Sequence, residues 1–356
     1  MSDFTEELKF HPRPIQVTPI KSKEYTFLSE KYYRPNTTAE RVDVNFLFYS
    51  GGIGDYICWM SSILWILETQ PQVNVKLYVQ SFMLEIARKL FEGKYKNRFV
   101  CQDIQVLVNV DLAKIGFTYQ PVMHPVSAIG MNLTDLGFCY FANITPEGKY
   151  REHIRLDVSD VENPVKEKSY AVVTTGHTTD AREWRAAGVN GVAAHLKSLG
   201  ITPVFLGKKE VYVVKTQGQD VNYTANFSKN IDYSLGLDLR EKTTLLEAAK
   251  IMSEAKLVIG LDNGLLHLAG TQDVPIIFGL NIAKPAEREI RRPLGSGTVR
   301  YLTPDPKILT CTFCQSNMRF NGTQDFKFCY YKDYVCLDLF ADPKPWIDEI
   351  NSVLGV

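Results

Sequence analysis

Val44-Asn45-Phe46-Leu47-Phe48-Tyr49-Ser50-Gly51-Gly52-Ile53-Gly54-Asp55 joins a short apolar run to a glycine-rich turn. The run from Val44 to Tyr49 predicts a buried strand. The residues that follow, Tyr56 to Thr69, are apolar on nearly every side, which is typical of a buried helix, and Pro71 predicts its end. A buried strand that enters a buried helix through glycines indicates a Rossmann-like α/β unit.

Strands and helices alternate along the rest of the chain in the same way. The further predicted strands are Val75–Val79, Ile104–Val108, Tyr170–Thr174, Pro203–Gly207, Leu257–Leu261 and Pro275–Gly279. The further predicted helices are Phe82–Phe91, Met123–Gly130, Gly191–Leu199, Thr243–Ala255, Gly264–Gly270 and Pro345–Val353. Such alternation predicts parallel sheets. We therefore expect an α/β fold with two Rossmann-like domains facing a central cleft, where ligands bind at the carboxyl ends of the strands.

The same pattern suggests the domain boundaries. Residues 1–42 are polar, contain prolines and show no periodicity, so we expect an N-terminal arm. Residues 43–165 and 166–300 are the two predicted Rossmann-like domains, and the linker lies near Asn163-Pro164. Residues 301–356 are expected to form a cysteine-bearing loop and a C-terminal helix.

Composition narrows the class of protein. The 356 residues include 40 Lys and Arg against 40 Asp and Glu, and 45% are hydrophobic. This is the composition of a globular protein, and its zero net charge weighs against binding along nucleic acid or an anionic membrane. No run of about 18 apolar residues predicts a membrane span. The first residues do not resemble a secretory signal, so we expect a cytoplasmic protein.

The glycine-rich turn is not a dinucleotide-binding fingerprint. The third glycine of such a motif would fall at Tyr56, and Gln80 ends the next strand where an acidic residue would hold a ribose. Asp55 is the chemically informative residue here. It is either a general base at the cleft or a plain helix cap, and the spacing alone leaves both interpretations open.

A second turn of this kind is Gly260-Leu261-Asp262-Asn263-Gly264-Leu265-Leu266-His267-Leu268-Ala269-Gly270. Asp262 could accept hydrogen bonds from sugar hydroxyls, and unpaired amides of Gly264, Leu265 and Leu266 would suit a diphosphate. A lone histidine inside a helix, such as His267, is more often a packed residue than a catalyst.

A third motif is the loop Thr174–Trp184, which carries Thr178, Thr179 and Arg182. Hydroxyl and guanidinium groups are phosphate ligands by type. A solvated loop without a ligand is the alternative.

The cysteines form a fourth pattern, Cys311-x2-Cys314-x14-Cys329-x6-Cys336. Four thiols at this spacing predict a tetrahedral site for structural zinc or iron, although four reduced cysteines in a loop are the alternative. Cys58, Cys101 and Cys139 lie in apolar surroundings, and we expect them in the core.

These motifs, together with Phe205-Leu206-Gly207 and Glu210, occur in the order seen in glycosyltransferase family nine, the ADP-heptose-dependent heptosyltransferases. The chain resembles that family over roughly residues 43–300. The resemblance implies a GT-B fold and an inverting, metal-independent transfer. It makes the first domain the acceptor side and the second the nucleotide-sugar-binding side. The cysteine pattern is similar to that of the bacterial autotransporter heptosyltransferases, which modify protein hydroxyls.

The resemblance also implies roles for individual residues. Asp55 would be the base, Thr178, Thr179 and Arg182 would contact phosphate, Glu210 would lie near the nucleoside ribose, and Asp262 would face the donor sugar. Gly54, Asn263, Gly264, Leu265 and His267 complete the predicted donor-binding set. Two positions depart from the family pattern: a lysine is usual in place of Arg182, and a serine or threonine in place of Asn263.

The sequence therefore predicts an enzyme that moves a heptose or similar sugar from an ADP-linked donor to a hydroxyl of a protein or glycan. The alternatives are a sugar transferase acting on hydroxylated DNA bases, a nicotinamide-binding oxidoreductase and a non-catalytic sugar-binding module. Balanced charge weighs against an enzyme that modifies DNA, and the broken glycine fingerprint weighs against an oxidoreductase. The presence of Asp55 weighs against a non-catalytic module. Assembly into a homo-oligomer is left open.

Overall fold

The computed structural model describes residues 42–48, 51–107, 117–119, 132–142, 147–176, 180–209, 213–216, 219–222, 230–293, 295–307, 309, 312–314 and 334–356. The predicted N-terminal arm up to residue 41 and the predicted helix Met123–Gly130 lie outside these residues.

The first sheet has four parallel strands in the order β3-β2-β1-β4. They are β1 (Val42–Leu47), β2 (Val73–Val79), β3 (Phe99–Asp103) and β4 (Phe117–Tyr119). The helices of this half are α1 (Ile53–Thr69), α2 (Leu84–Tyr95) and α3 (Leu133–Ala142). Helix α1 is almost wholly buried, as its all-round apolar pattern predicted.

The prediction of a strand at Ile104–Val108 is wrong. The strand lies just before it, and Ile104–Leu107 is a 3₁₀ helix. The Asp103 carboxylate accepts a hydrogen bond from the Gln105 amide at 2.9 Å, a local turn that ends the strand. Val106 is 54% exposed, so the apolar run does not mark a buried strand.

The second sheet has six parallel strands in the order β12-β11-β10-β5-β6-β9. They are β5 (Tyr170–Thr174), β6 (Thr202–Leu206), β9 (Leu237–Asp238), β10 (Val258–Leu261), β11 (Ile276–Gly279) and β12 (Val299–Leu302). Strands β7 (Val213–Thr216) and β8 (Gln219–Asn222) form a separate antiparallel pair. The helices are α4 (Ala186–Ser198), α5 (Leu245–Glu254), α6 (Gly264–Ala269), α7 (Pro285–Arg288), α8 (Asp338–Ala341) and α9 (Lys344–Leu354).

Helix α4 begins at Ala186, earlier than the predicted start at Gly191. Gly188 and Gly191 lie inside the helix, where they allow close packing. A Cβ on Gly188 would lie 1.9 Å from the Phe340 carbonyl oxygen, and one on Gly191 would lie 2.4 Å from Pro343. The two glycines let the segment that leads into α9 cross the helix closely. The sequence pattern predicts a helix start at Gly191 because glycine is uncommon inside helices, and this contact explains why a glycine lies inside α4.

The two halves are joined by hydrogen bonds and a shared core. The Gln272 amide donates to the Leu156 carbonyl at 2.9 Å, and Arg291 forms an ion pair with Asp135 at 2.7 Å. Buried apolar side chains of α1 and α6 belong to one continuous cluster. The carboxyl ends of β1 and β10 are thereby brought together through the helices that follow them.

Candidate active site between the two sheets

The turn that carries Asp55 lies at the start of helix α1. Asp55 is the third helical residue, and its Oδ2 accepts a hydrogen bond from the Gly52 amide at 2.8 Å. Gly51 has a φ of +119°, a conformation that favours glycine. Asp55 therefore does stabilise the helix start, and this contact also holds its carboxylate in one orientation.

Helix α6 of the second half begins in direct contact with this turn. A Cβ on Gly264 would lie 2.7 Å from Ile53 Cβ and 2.9 Å from the Gly54 backbone nitrogen. A Cβ on Gly54 would in turn lie 2.7 Å from Cδ2 of His267. Both glycines are thus required for the close approach of two helix starts, one from each half.

We expect Gly264→Ala to destabilise the protein by about 1–3 kcal/mol, because the added methyl group forces the two helix starts apart. The measurement is the free energy of unfolding in denaturant. Gly93→Ala, in the interior of α2 with no atom within 4 Å of the added Cβ, is the matched control and should stabilise by about 0.5–1 kcal/mol. Equal stability of the Gly264→Ala variant and the wild type would contradict the packing described here.

A buried charge cluster occupies the other side of the same junction. Asp262, directly after β10, is 3% exposed, and its Oδ2 lies 3.4 Å from Nε of Arg182 and 3.4 Å from Nε of Arg288. Burial opposes ionisation of this carboxyl, but the two guanidinium groups outweigh it and lower the pKa of Asp262. Arg182 follows β5 and Arg288 follows β11, so neighbouring strands supply all three residues.

Arg288 was not among the predicted site residues. Burial works against its charge, but Asp262 and then Asp55 raise the pKa of its guanidinium, so it acts across the junction between the two halves. A basic residue in a short helix just after the carboxyl end of β11 was the available signal, since ligands gather at that edge.

Asn263 is the N-terminal cap of α6. Its Oδ1 accepts hydrogen bonds from the Leu265 and Leu266 amides at 2.9 and 3.3 Å, and its Nδ2 donates to Oγ1 of Thr174 at 2.9 Å. The expectation that the Leu265 and Leu266 amides stand unpaired for a diphosphate is therefore wrong. Asn263 instead fixes the ends of β5 and β10 relative to one another.

His267 is buried and packs against the Phe278 ring, as expected for a packed histidine, but it also has polar neighbours. Its ring lies parallel to that of His153, and both approach the thiol of Cys58. Burial lowers the pKa of His267 to about 4, so the imidazole is neutral near pH 7. Cys58 and Cys101 are buried as expected, whereas the side chain of Cys139 lies outside the described residues.

Thr178, Thr179, Glu210, Cys311 and Cys329 also lie outside the described residues.

Of the other two predicted metal ligands, Cys336 contacts Asn281 directly, and Cys314 follows Phe313, which contacts the same residue. The side-chain amide of Asn281 donates to Sγ of Cys336 at 3.3 Å, and its main-chain carbonyl accepts from the main-chain amide of Phe313, next to Cys314, at 2.7 Å. Amide donation to sulfur suits a metal-bound thiolate.

The chain is similar to known proteins in part of its sequence and in its fold. Residues 143–280 match the family model "Glycosyltransferase family 9 (heptosyltransferase)". The iron-containing dodecameric glycosyltransferase TibC from enterotoxigenic E. coli H10407 has a similar structure, with a TM-score of 0.65 and 19% identity over 90% of this chain and 81% of TibC. E. coli ADP-heptose LPS heptosyltransferase II gives a TM-score of 0.53 and 12% identity over 87% and 98% of the two chains. No curated protein sequence matches this chain.

These findings confirm the predicted resemblance to family nine, the GT-B fold and the interpretation of the chain as a glycosyltransferase. Within the described part of the chain, no helix combines the length and apolar character that crossing a membrane requires.

Proposed function

We propose that this chain, a glycosyltransferase with a family 9 domain over residues 143–280, transfers a heptose from ADP-heptose to a protein hydroxyl with inversion at the anomeric carbon. One observation carries the proposal. A capped carboxylate, Asp55, lies at the same junction as the buried cluster of Asp262, Arg182 and Arg288.

The cluster suits the diphosphate of the donor. Each guanidinium is a planar fork of five N–H donors, a geometry that matches pairs of phosphate oxygens. Both side chains are largely buried, and a charge-assisted hydrogen bond is stronger there than in water.

The same two arginines explain how transfer proceeds without a catalytic metal. The bond from the anomeric carbon to the diphosphate breaks as the acceptor oxygen attacks, and negative charge develops on the departing ADP. Preorganised cationic donors at that point lower the barrier, which is the role a divalent metal plays in other enzymes. Asp262 holds the two guanidinium groups in place and offsets their buried charge before the donor binds.

Asp55 is the proposed base. It accepts the proton of the acceptor hydroxyl as the new glycosidic bond forms on the face opposite the leaving group. The hydrogen bond from Gly52 holds Oδ2, so the carboxylate is oriented before the acceptor arrives.

The identity of the sugar is supported by similarity alone. A second TibC structure is a complex with ADP-D-beta-D-heptose, and it matches this chain with a TM-score of 0.65 at 18% identity over 89% of this chain and 78% of TibC. The protein acceptor is supported by the resemblance of the four-cysteine pattern to that of the bacterial autotransporter heptosyltransferases. TibC is described as dodecameric, and we propose that this chain also forms a homo-oligomer, which its mass in solution would test.

The test is transfer of labelled heptose from ADP-heptose to the macromolecules of a cell extract, with heat-denatured protein as the background control. The proposal is supported if protease releases the label from the macromolecules and nuclease does not. Label released by nuclease would instead indicate a hydroxylated base as the acceptor, and macromolecular label that neither enzyme releases would indicate a glycan. Either result would contradict a protein acceptor.

The second proposed feature is a structural metal held by Cys311, Cys314, Cys329 and Cys336. Four thiolates complete a tetrahedral shell and leave no position for a substrate. TibC is described as iron-containing, which supports a metal in this chain.

Cys314→Ser should remove about one zinc or iron ion per chain and lower the melting temperature, because the metal shell loses a thiolate. Elemental analysis and thermal unfolding measure the two effects. Cys101→Ser, which removes a buried thiol from β3, is the control for metal content. Wild-type metal content in Cys314→Ser would contradict the four-cysteine site.

A further inference from the structure

A second group of metal-ligand side chains adjoins the turn that carries Asp55, and none of its members belongs to the four-cysteine pattern. Cys58, His153 and His267 are 0%, 2% and 2% exposed. They come from α1, from the extended segment that links the two halves, and from α6. Their donor atoms all lie within 4.8 Å of one another.

The distances among these atoms are those of one face of a metal tetrahedron. Nε2 of His153 lies 3.1 Å from Nδ1 of His267, and Sγ of Cys58 lies 3.5 Å and 3.6 Å from these two nitrogens. Tetrahedral zinc with Zn–N of about 2.0–2.1 Å and Zn–S of about 2.3 Å separates two nitrogens by about 3.3 Å and sulfur from nitrogen by about 3.5 Å. The observed triangle agrees with these spacings within about 0.2 Å.

We propose that Cys58, His153 and His267 bind a zinc ion that links the two halves next to the catalytic turn, Gly51–Asp55. One thiolate and two imidazoles form a borderline-soft donor set that suits zinc. Three protein ligands leave a fourth position for water. The buried hydroxyl of Thr134 lies beside the Cys58 thiol and gives such a water a polar neighbour.

The position of the ion connects it to the catalytic turn. Cys58 follows Gly54 by one helical turn, and His267 lies one turn after Gly264. Zinc bound at Nδ1 of His267 fixes the ring proton on Nε2. That nitrogen is bonded to Cδ2, the ring atom nearest Gly54, so the ion sets both the tautomer and the position of the ring beside the catalytic turn.

The ion would join the two halves because Cys58 belongs to the first half and His267 to the second. A bound ion stabilises only the folded arrangement in which all three donors meet, so its binding energy contributes to the stability of the whole chain. The inference is independent of which sugar is transferred.

The test is the metal content of the purified full chain and of single variants, measured by elemental analysis. Cys58→Ser and His153→Gln should each lose about one zinc per chain and keep the metal of the four-cysteine site. Cys314→Ser should lose the other ion, and Cys101→Ser should lose none. Wild-type zinc content in folded Cys58→Ser and His153→Gln variants would overturn the proposal.

A measurement on the wild type covers the case in which those variants do not fold. Zinc-edge X-ray absorption of the wild type should show nitrogen ligands at about 2.0–2.1 Å as well as sulfur at about 2.3 Å. A shell of sulfur alone, or protein without zinc, would overturn the proposal. Because neither measurement involves turnover, the outcome is separate from that of the proposed transfer reaction.

Discussion

Asp55→Asn is expected to lower the rate of heptose transfer by about 10²–10⁴-fold at saturating donor, the usual contribution of a general base. The amide keeps the size of the side chain and an oxygen that can accept the Gly52 hydrogen bond, but it does not accept the acceptor proton at neutral pH. Donor affinity and melting temperature should therefore stay close to those of the wild type. The measurement is the transfer rate of the variant beside the wild type, with labelled product as the readout.

If Asp55 only caps α1, Asp55→Asn should keep its transfer activity, because asparagine is nearly as good a cap as aspartate. The control is Asp157→Asn, which removes an exposed carboxylate that accepts the Ser159 amide at 2.9 Å in the linker. It should leave transfer unchanged. Near-normal turnover of Asp55→Asn would refute the assignment of the base while leaving the helix cap intact.

Arg288→Ala and Arg182→Ala are each expected to weaken binding of ADP by about 10–150-fold, which corresponds to about 1.5–3 kcal/mol for a lost charge-assisted contact. Transfer should also slow, because the same groups stabilise charge on the departing diphosphate. The two effects should not add in the double variant, since both guanidinium groups bind the Asp262 carboxylate. Calorimetric titration with ADP gives the affinity, and the transfer assay gives the rate.

Arg182→Lys and Arg288→Lys separate charge from geometry. A lysine keeps the positive charge beside Asp262 but loses the planar fork of donors, so affinity should fall between that of the wild type and that of the alanine variant. Arg151→Ala removes an exposed partner of Asp135 and should not change ADP binding. Unchanged ADP affinity and unchanged transfer in both alanine variants would remove these arginines from the donor site.

The elements around the site could be predicted because each depends on a short run of sequence. Strands β5, β10 and β11 are continuous apolar runs, and the observed ends differ from the predicted ends by no more than one residue. The glycine-rich turn before α1 and the Asp-Asn-Gly turn before α6 were found for the same reason. Local patterning was therefore sufficient for the two segments that meet at the cleft.

Contacts between distant residues could not be predicted in this way. His153 lies 114 positions before His267 in the chain, and nothing in its surroundings marks it as a partner of that residue. Arg288 joins Asp262 only because strands β10 and β11 are neighbours in the sheet. Gly191 misleads because its function, like that of Gly188, is to admit the C-terminal segment, and that contact exists only in the folded chain.

The central claim is that the cleft binds an ADP-linked sugar through protein groups, and a direct titration tests it. We expect the full chain, in buffer without added divalent cation, to bind ADP-heptose saturably at one site per chain, and Arg288→Ala to weaken that binding at least about tenfold. NAD and UDP-sugars should bind more weakly than ADP-heptose. Folded protein that binds NAD or a UDP-sugar more tightly, or that does not bind ADP-heptose, would contradict the account.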